Sequence, residues 1–120
     1  MKVIGIDIGG TKTIIGIIDI TKGKVIKKIS ISSKQFQNDK ENLKSIVSNT
    51  IDIIGKLKIN KIGIGVPELI DNKGIIRGDY NFNWLNKNLA DNFPKKFKVI
   101  VDSDVRCHLR AEKLYGHGKN

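Results

Sequence analysis

The chain has 120 residues, 39% of them hydrophobic, which suits one domain with a modest core. No apolar run reaches membrane-spanning length, the opening MKVIGIDIG is too short and too acidic for a signal peptide, and the single cysteine, Cys107, excludes an internal disulfide and fits a reducing, cytoplasmic setting. The net charge of +10 invites a nucleic-acid reading, but 19 of the 22 basic residues are lysines, scattered and without interleaved aromatics, so a nucleic-acid partner is not expected.

In chain order, Lys2–Ile8 reads as a strand, Thr13–Ile20 as a second and Val25–Ile31 as a third. TKGK at 21–24 makes a turn, with Gly23 as its permissive residue. Such short connections join antiparallel neighbours, so the opening is a three-stranded meander. The period then changes. Asn38 or Asp39 can cap a helix, and Glu41 completes a capping box with Asn38. Leu43, Ile46, Val47, Ile51, Ile54 and Leu57 fall on one helical face. Lys61–Val66 reads as a buried strand, and DNKG at 71–74 as a turn. Trp84–Phe93 reads as a short helix closed by Pro94. Lys98–Val101 is a further strand, after which Asp102 or Ser103 caps a last helix that runs to about Tyr115 and stops at Gly116. The order βββαβαβα predicts an α/β fold, a mixed five-stranded sheet with flanking helices.

The most informative stretch is GIDIGGTKT, Gly5 to Thr13, a bend between two strands. It does not open a helix and lacks the spacing of a P-loop. Its physics is still that of phosphate handling. Gly9 and Gly10 let the backbone approach an anion and turn successive N–H groups toward it. Thr11 and Thr13 add hydroxyl donors, and Lys12 adds positive charge. A bare carboxylate would repel phosphate, so Asp7 makes sense facing a magnesium ion or its water shell. The basic surface would also suit a polyanionic phosphate substrate.

GIDIGGTKT followed by IIGIID resembles the first phosphate motif of sugar kinases with the actin and hexokinase fold, and more narrowly that of the ROK family (repressors, open reading frames and kinases). Three later stretches agree. IGIGVPELID…GII at 62–76 is similar to the family's Gly-x-Gly-x-Pro-Gly segment, and YNFNW at 80–84 to its asparagine-containing stretch. VIVDSDVRCHLRAEKLYGHGK at 99–119 is similar to the stretch that carries the catalytic base. The resemblance implies a ribonuclease H-like (actin-like ATPase) lobe and ATP-dependent, Mg2+-assisted phosphorylation of a hexose or hexose derivative. It implies that Gly9, Gly10, Thr11, Lys12 and Thr13 line the ATP phosphates, with Asp7 near magnesium. Asp104 would be the general base on the sugar hydroxyl. Ser103 and Asn81 would contact the sugar, as would the backbone around Gly65. At the expected start of a helix after a strand, Asp104 also lies where ligands bind in open α/β sheets, and the helix N-terminus favours its ionised form.

Three departures stand out. Ser103 replaces the family's usual asparagine, and Glu68 replaces the glycine that usually follows Val66-Pro67. The chain also stops at GHGKN, before the family's second lobe with its further phosphate motif, adenosine pocket and cysteine-rich zinc site. The expectation is therefore that residues 1–120 are the N-terminal lobe of a two-lobed kinase, that the C-terminal lobe is the absent partner, and that this lobe alone is inactive. Cys107 and His108 are helix neighbours pointing in different directions, and His117 sits between glycines, so no zinc is assigned here. The oligomeric state is left open, a homo-oligomer at full length being compatible with the resemblance, and a membrane partner is not expected. The alternative is a non-catalytic sugar sensor, since the family includes repressors with a helix-turn-helix ahead of the kinase-like lobe. This chain starts directly on its first strand. Polyphosphate is a second candidate donor.

Overall fold

The computed structural model describes residues 1–9, 11–32, 39–66, 70–77 and 87–103. Its strands are β1 (Lys2–Ile8), β2 (Lys12–Asp19), β3 (Lys24–Ser32), β4 (Lys61–Val66) and β5 (Lys98–Ser103). Helix α1 (Asp39–Ile54) follows β3, and a 3-10 helix covers Leu89–Asn92. They form a mixed five-stranded sheet in the order β3-β2-β1-β4-β5. β1, β2 and β3 pair antiparallel, as the meander predicts, and β4 and β5 add parallel to β1.

Alternation along the strands decides the faces. Ile4, Ile6 and Ile8 of β1, Ile15 and Ile17 of β2, and Ile62, Ile64 and Val66 of β4 are buried on one face, in one core with Leu43, Ile46, Ile53 and Ile54 of α1. Each fully buried isoleucine contributes about 1.5–3 kcal/mol. The opposite face carries Gly5 of β1, paired with both Gly16 and Gly63, and beyond it Asp7, paired with Gly65.

Strand ends depart from expectation by one or two residues, for local reasons. β2 ends at Asp19 because its carboxylate accepts the N–H groups of Thr21 (3.0 Å) and Lys22 (3.2 Å), starting the turn there. Gly23 completes that turn at φ 64. β5 runs past Val101 to Ser103 because Asp102 and Ser103 pair with Gly65 and Val66 of β4. The end of β5 thus moves next to Asp104. The expected last helix lies outside the described residues.

Two helical expectations need correction. α1 buries only part of the face expected for it: Leu43, Ile46 and Ile54 are buried and Val47 partly so, but Ile51 is 41% exposed and Leu57 45%, and Asn42 and Thr50 are buried beside them. Leu57 lies beyond the end of α1, which stops at Ile54 before Gly55 at φ 56. The face against the sheet runs through Asn42, Ile46, Thr50 and Ile53. Thr50 is satisfied there, its hydroxyl donating to the Ile46 carbonyl at 2.7 Å.

In the Trp84–Phe93 stretch, the described residues hold only the 3-10 helix Leu89–Asn92, not the predicted longer helix. Lys87 and Asn88 are committed elsewhere. The Lys87 carbonyl accepts the Ile76 N–H at 2.9 Å. Asn88 is extended and caps the 3-10 helix, its Oδ1 accepting the Ala90 N–H at 3.0 Å. The 71–74 turn forms as expected, with Gly74 at φ 83. Asp71 organises it, accepting the N–H groups of Lys73 (2.8 Å) and Ile75 (3.0 Å) and pairing with Arg77 at 2.9 Å.

Candidate functional site

The bend between β1 and β2 is a closed turn. The Gly9 N–H donates to the Lys12 carbonyl at 2.9 Å. A Cβ on Gly9 would meet that same carbonyl oxygen at 2.8 Å, so only glycine fits without moving the backbone. Thr11 and Lys12 are exposed at the tip. Gly10 lies outside the described residues. The tip thus offers a hydroxyl and an ammonium to solvent.

The sheet brings distant residues to this bend. Asp7, exposed near the end of β1, pairs with Gly65 of β4, and Gly65 pairs with Asp102 of β5. One cross-strand row therefore reads Asp7, Gly65, Asp102 at the C-terminal ends of three parallel strands, where ligands bind in open α/β sheets. Gly65, itself buried, adds no side chain to the middle of this row. The expected magnesium residue and the expected sugar-side backbone are direct neighbours. The backbone of Ser103 ends β5 one residue further on. Asp102, read from the sequence as a cap, belongs to this row through its backbone. Only the non-local pairing of β4 with β5 could have shown that.

Thr13 is placed differently from Thr11 and Lys12. It is 1% exposed, on the face that packs against α1, and its hydroxyl has no hydrogen-bond partner. In this conformation it lies beneath the hairpin, not at its tip. Asn81 and Asp104 lie outside the described residues, as do Glu68, Cys107, His108 and His117. A groove of ≈ 510 Å³ runs along α1 past Leu43, Val47, Ile51 and Asn92, and it shares no residue with the hairpin.

The donor set fits a nucleotide's phosphates with a divalent cation. Thr11 and Lys12, exposed at the tip, would complement an anion, and the Asp7 carboxylate is a hard oxygen ligand of the kind a divalent cation takes. Among the described residues, no helix is long and apolar enough to cross a membrane.

The model of the ROK family matches residues 3–120. No curated protein matches the chain. Among solved structures, the chain is similar to a ROK family glucokinase from Streptomyces griseus in complex with glucose and AMPPNP, with TM-score 0.82 and 22% identity over 98% of this chain and 38% of that one. It is also similar to the inorganic polyphosphate/ATP-glucomannokinase from Arthrobacter sp. strain KM, with TM-score 0.79 and 25% identity over 98% of this chain and 49% of that one. A ROK family transcriptional regulator, homologous to the E. coli MLC protein, gives TM-score 0.77 and 20% identity over 98% of this chain and 31% of that one. The fold is thus that of the actin-like ATPase lobe. The chain spans less than half the length of each of these relatives.

Proposed function

From the premise that this chain belongs to the ROK family, we propose that it is the N-terminal lobe of an ATP-dependent sugar kinase acting on a hexose or hexose derivative. The observation that carries the reading is the closed glycine hairpin at the end of β1, set beside the Asp7–Gly65 pair. Gly9, Gly10, Thr11 and Lys12 would hold the phosphates, with Thr13 supporting them from below. Asp7 would face a magnesium ion, directly or through its water shell. Bound with ATP, that ion neutralises phosphate charge and helps orient the transferred group.

The remaining work falls to the chain's own residues. Asp104 would accept the proton of the attacking sugar hydroxyl. Gly65, Asn81 and Ser103 would orient the sugar, so that the hydroxyl meets the phosphate at short range. The positive end of Lys12 would complement charge on the transferred group. The fold of such a kinase needs a second lobe to close the cleft, so the 120 residues alone are proposed to be inactive. Zinc is not proposed for this lobe.

The test is a coupled phosphorylation assay on the protein at full natural length, with a panel of hexoses, hexosamines and N-acetylhexosamines and with ATP or polyphosphate as donor. Turnover of one sugar class with ATP is the expected result. Turnover with polyphosphate alone would replace the donor, and the relative from Arthrobacter, named for both donors, makes that arm worth running. The second reading is a non-catalytic sugar sensor, favoured by the regulator that shares this fold. Sugar binding without turnover by either donor would establish it in place of the kinase.

A further inference from the structure

Among the described residues, only Thr13 and Asn42 bury side-chain polar atoms that have no hydrogen-bond partner. Thr13 is 1% exposed and Asn42 2%. Burying such groups unpaired is costly, and two of them in one small core call for a reason.

The topology places them at the same end of the same interface. β3 ends at Ser32, paired with Lys12 at the start of β2. α1 begins only a few residues later, at Asp39, and ends near Lys61, where β4 starts beside the beginning of β1. Since β1 is antiparallel to β2, α1 runs over β2 in β2's own direction. A four-residue step along a helix rises about 6 Å, and a two-residue step along a strand about 6.8 Å. The series Asn42, Ile46, Thr50 therefore keeps step with the series Thr13, Ile15, Ile17. Apolar Ile46 and Ile15, both fully buried, match in the middle of the interface. Asn42 and Thr13 each stand within the first turn or first two residues of their element, so this alignment sets them opposite each other at the hairpin end.

We infer that Thr13 and Asn42 form one buried polar junction, bridged by an enclosed water, and that Asn42 is a positioning residue for the phosphate hairpin. The Asn42 amide supplies both a donor and an acceptor, and the Thr13 hydroxyl does the same, which satisfies what a buried water needs. The junction explains why α1 buries Asn42 while leaving Ile51 outside. It also ties the first turn of α1 to the residue directly after the hairpin tip. The hairpin's backbone is thereby held from below while its upper side stays open. The nucleotide part of this inference rests on the kinase reading; the packing part does not.

Two measurements separate those parts. The first is a double-mutant cycle with Thr13→Val and Asn42→Leu, both close in shape to the native residues, read by chemical denaturation of the full-length protein. The shift in unfolding midpoint of the double variant should differ clearly from the sum of the single shifts. Additive shifts would overturn the junction, and Asn42→Ser offers a second cycle if Asn42→Leu fails to fold. The second measurement is steady-state kinetics. Asn42→Leu should raise the nucleotide KM about tenfold while leaving the sugar KM unchanged, as loss of hairpin positioning requires. An equal rise in both KM values, or in neither, would overturn the positioning role. A wild-type protein that uses no nucleotide would remove the kinase reading, and the stability cycle would still decide the junction.

Discussion

A methyl group on Gly9 would press on the Lys12 carbonyl oxygen at 2.8 Å. That oxygen is the acceptor closing the turn, so the chain must open the turn to make room. Gly9→Ala is expected to cost about 1–3 kcal/mol of stability and to weaken nucleotide binding at least about tenfold. Denaturation and calorimetric titration check the two effects. Asp104, the proposed base, should behave differently: Asp104→Asn is expected to abolish sugar phosphorylation in the full-length enzyme while nucleotide binding persists. Normal turnover by that variant would assign the base elsewhere. Asp71 carries a third residue-scale prediction. The Ile75 N–H has the largest effect; desolvation, next in size, opposes it, but the Lys73 N–H and the Arg77 guanidinium add to Ile75 and the carboxyl is held below its ordinary value. A folded value below the unfolded one means that the stabilisation is complete above the ordinary aspartate value. It is lost only as pH falls through the lowered folded value. The Lys73 and Ile75 amides should therefore lose protection from exchange only as pH falls below the ordinary aspartate value, and Asp71→Asn should remove that pH dependence.

At the scale of elements, α1 shows where a hydrophobic period misleads. Val47 and Ile51 complete an apolar stripe on the helical wheel as well as Thr50 and Ile53 do. The choice between the stripes is made by the sheet, which takes Asn42, Ile46 and Thr50 and leaves Ile51 41% exposed. Ile46→Ala should cost about 2–5 kcal/mol as a buried truncation, and Ile51→Ser should change stability by less than about 0.5 kcal/mol. Urea denaturation of both variants decides which face is the buried one. The strands were more legible, because a period of two bounded by Gly23 or by the Gly9–Lys12 bend leaves little choice. Their ends were not, since Asp19 and Ser103 are placed by a side-chain hydrogen bond and by a neighbouring strand.

For the whole molecule, the hairpin could be read from contiguous residues, because a turn of this kind carries its chemistry in its own few side chains. The row Asp7, Gly65, Asp102 could not. It joins residues far apart in the chain, and it exists only once two parallel strands have been added. Thr13 shows the same limit from the other side. Its type suits a phosphate contact, but the alternation of β2 turns it into the core. The net charge of +10 predicts that binding of a polyanionic donor weakens with added salt.

The mixed sheet also has a consequence in time. β1, β2 and β3 are joined by short turns, so their pairing closes only small loops. β4 reaches β1 only after the whole of α1 has been laid down, and β5 needs a further crossover. Small loops close faster and at less entropic cost. The hairpin side of the sheet should thus gain structure early, as the chain leaves the ribosome, and the β5 side late. Pulse-labelled hydrogen exchange during refolding should find the amides of β1 and β2 protected before those of β5.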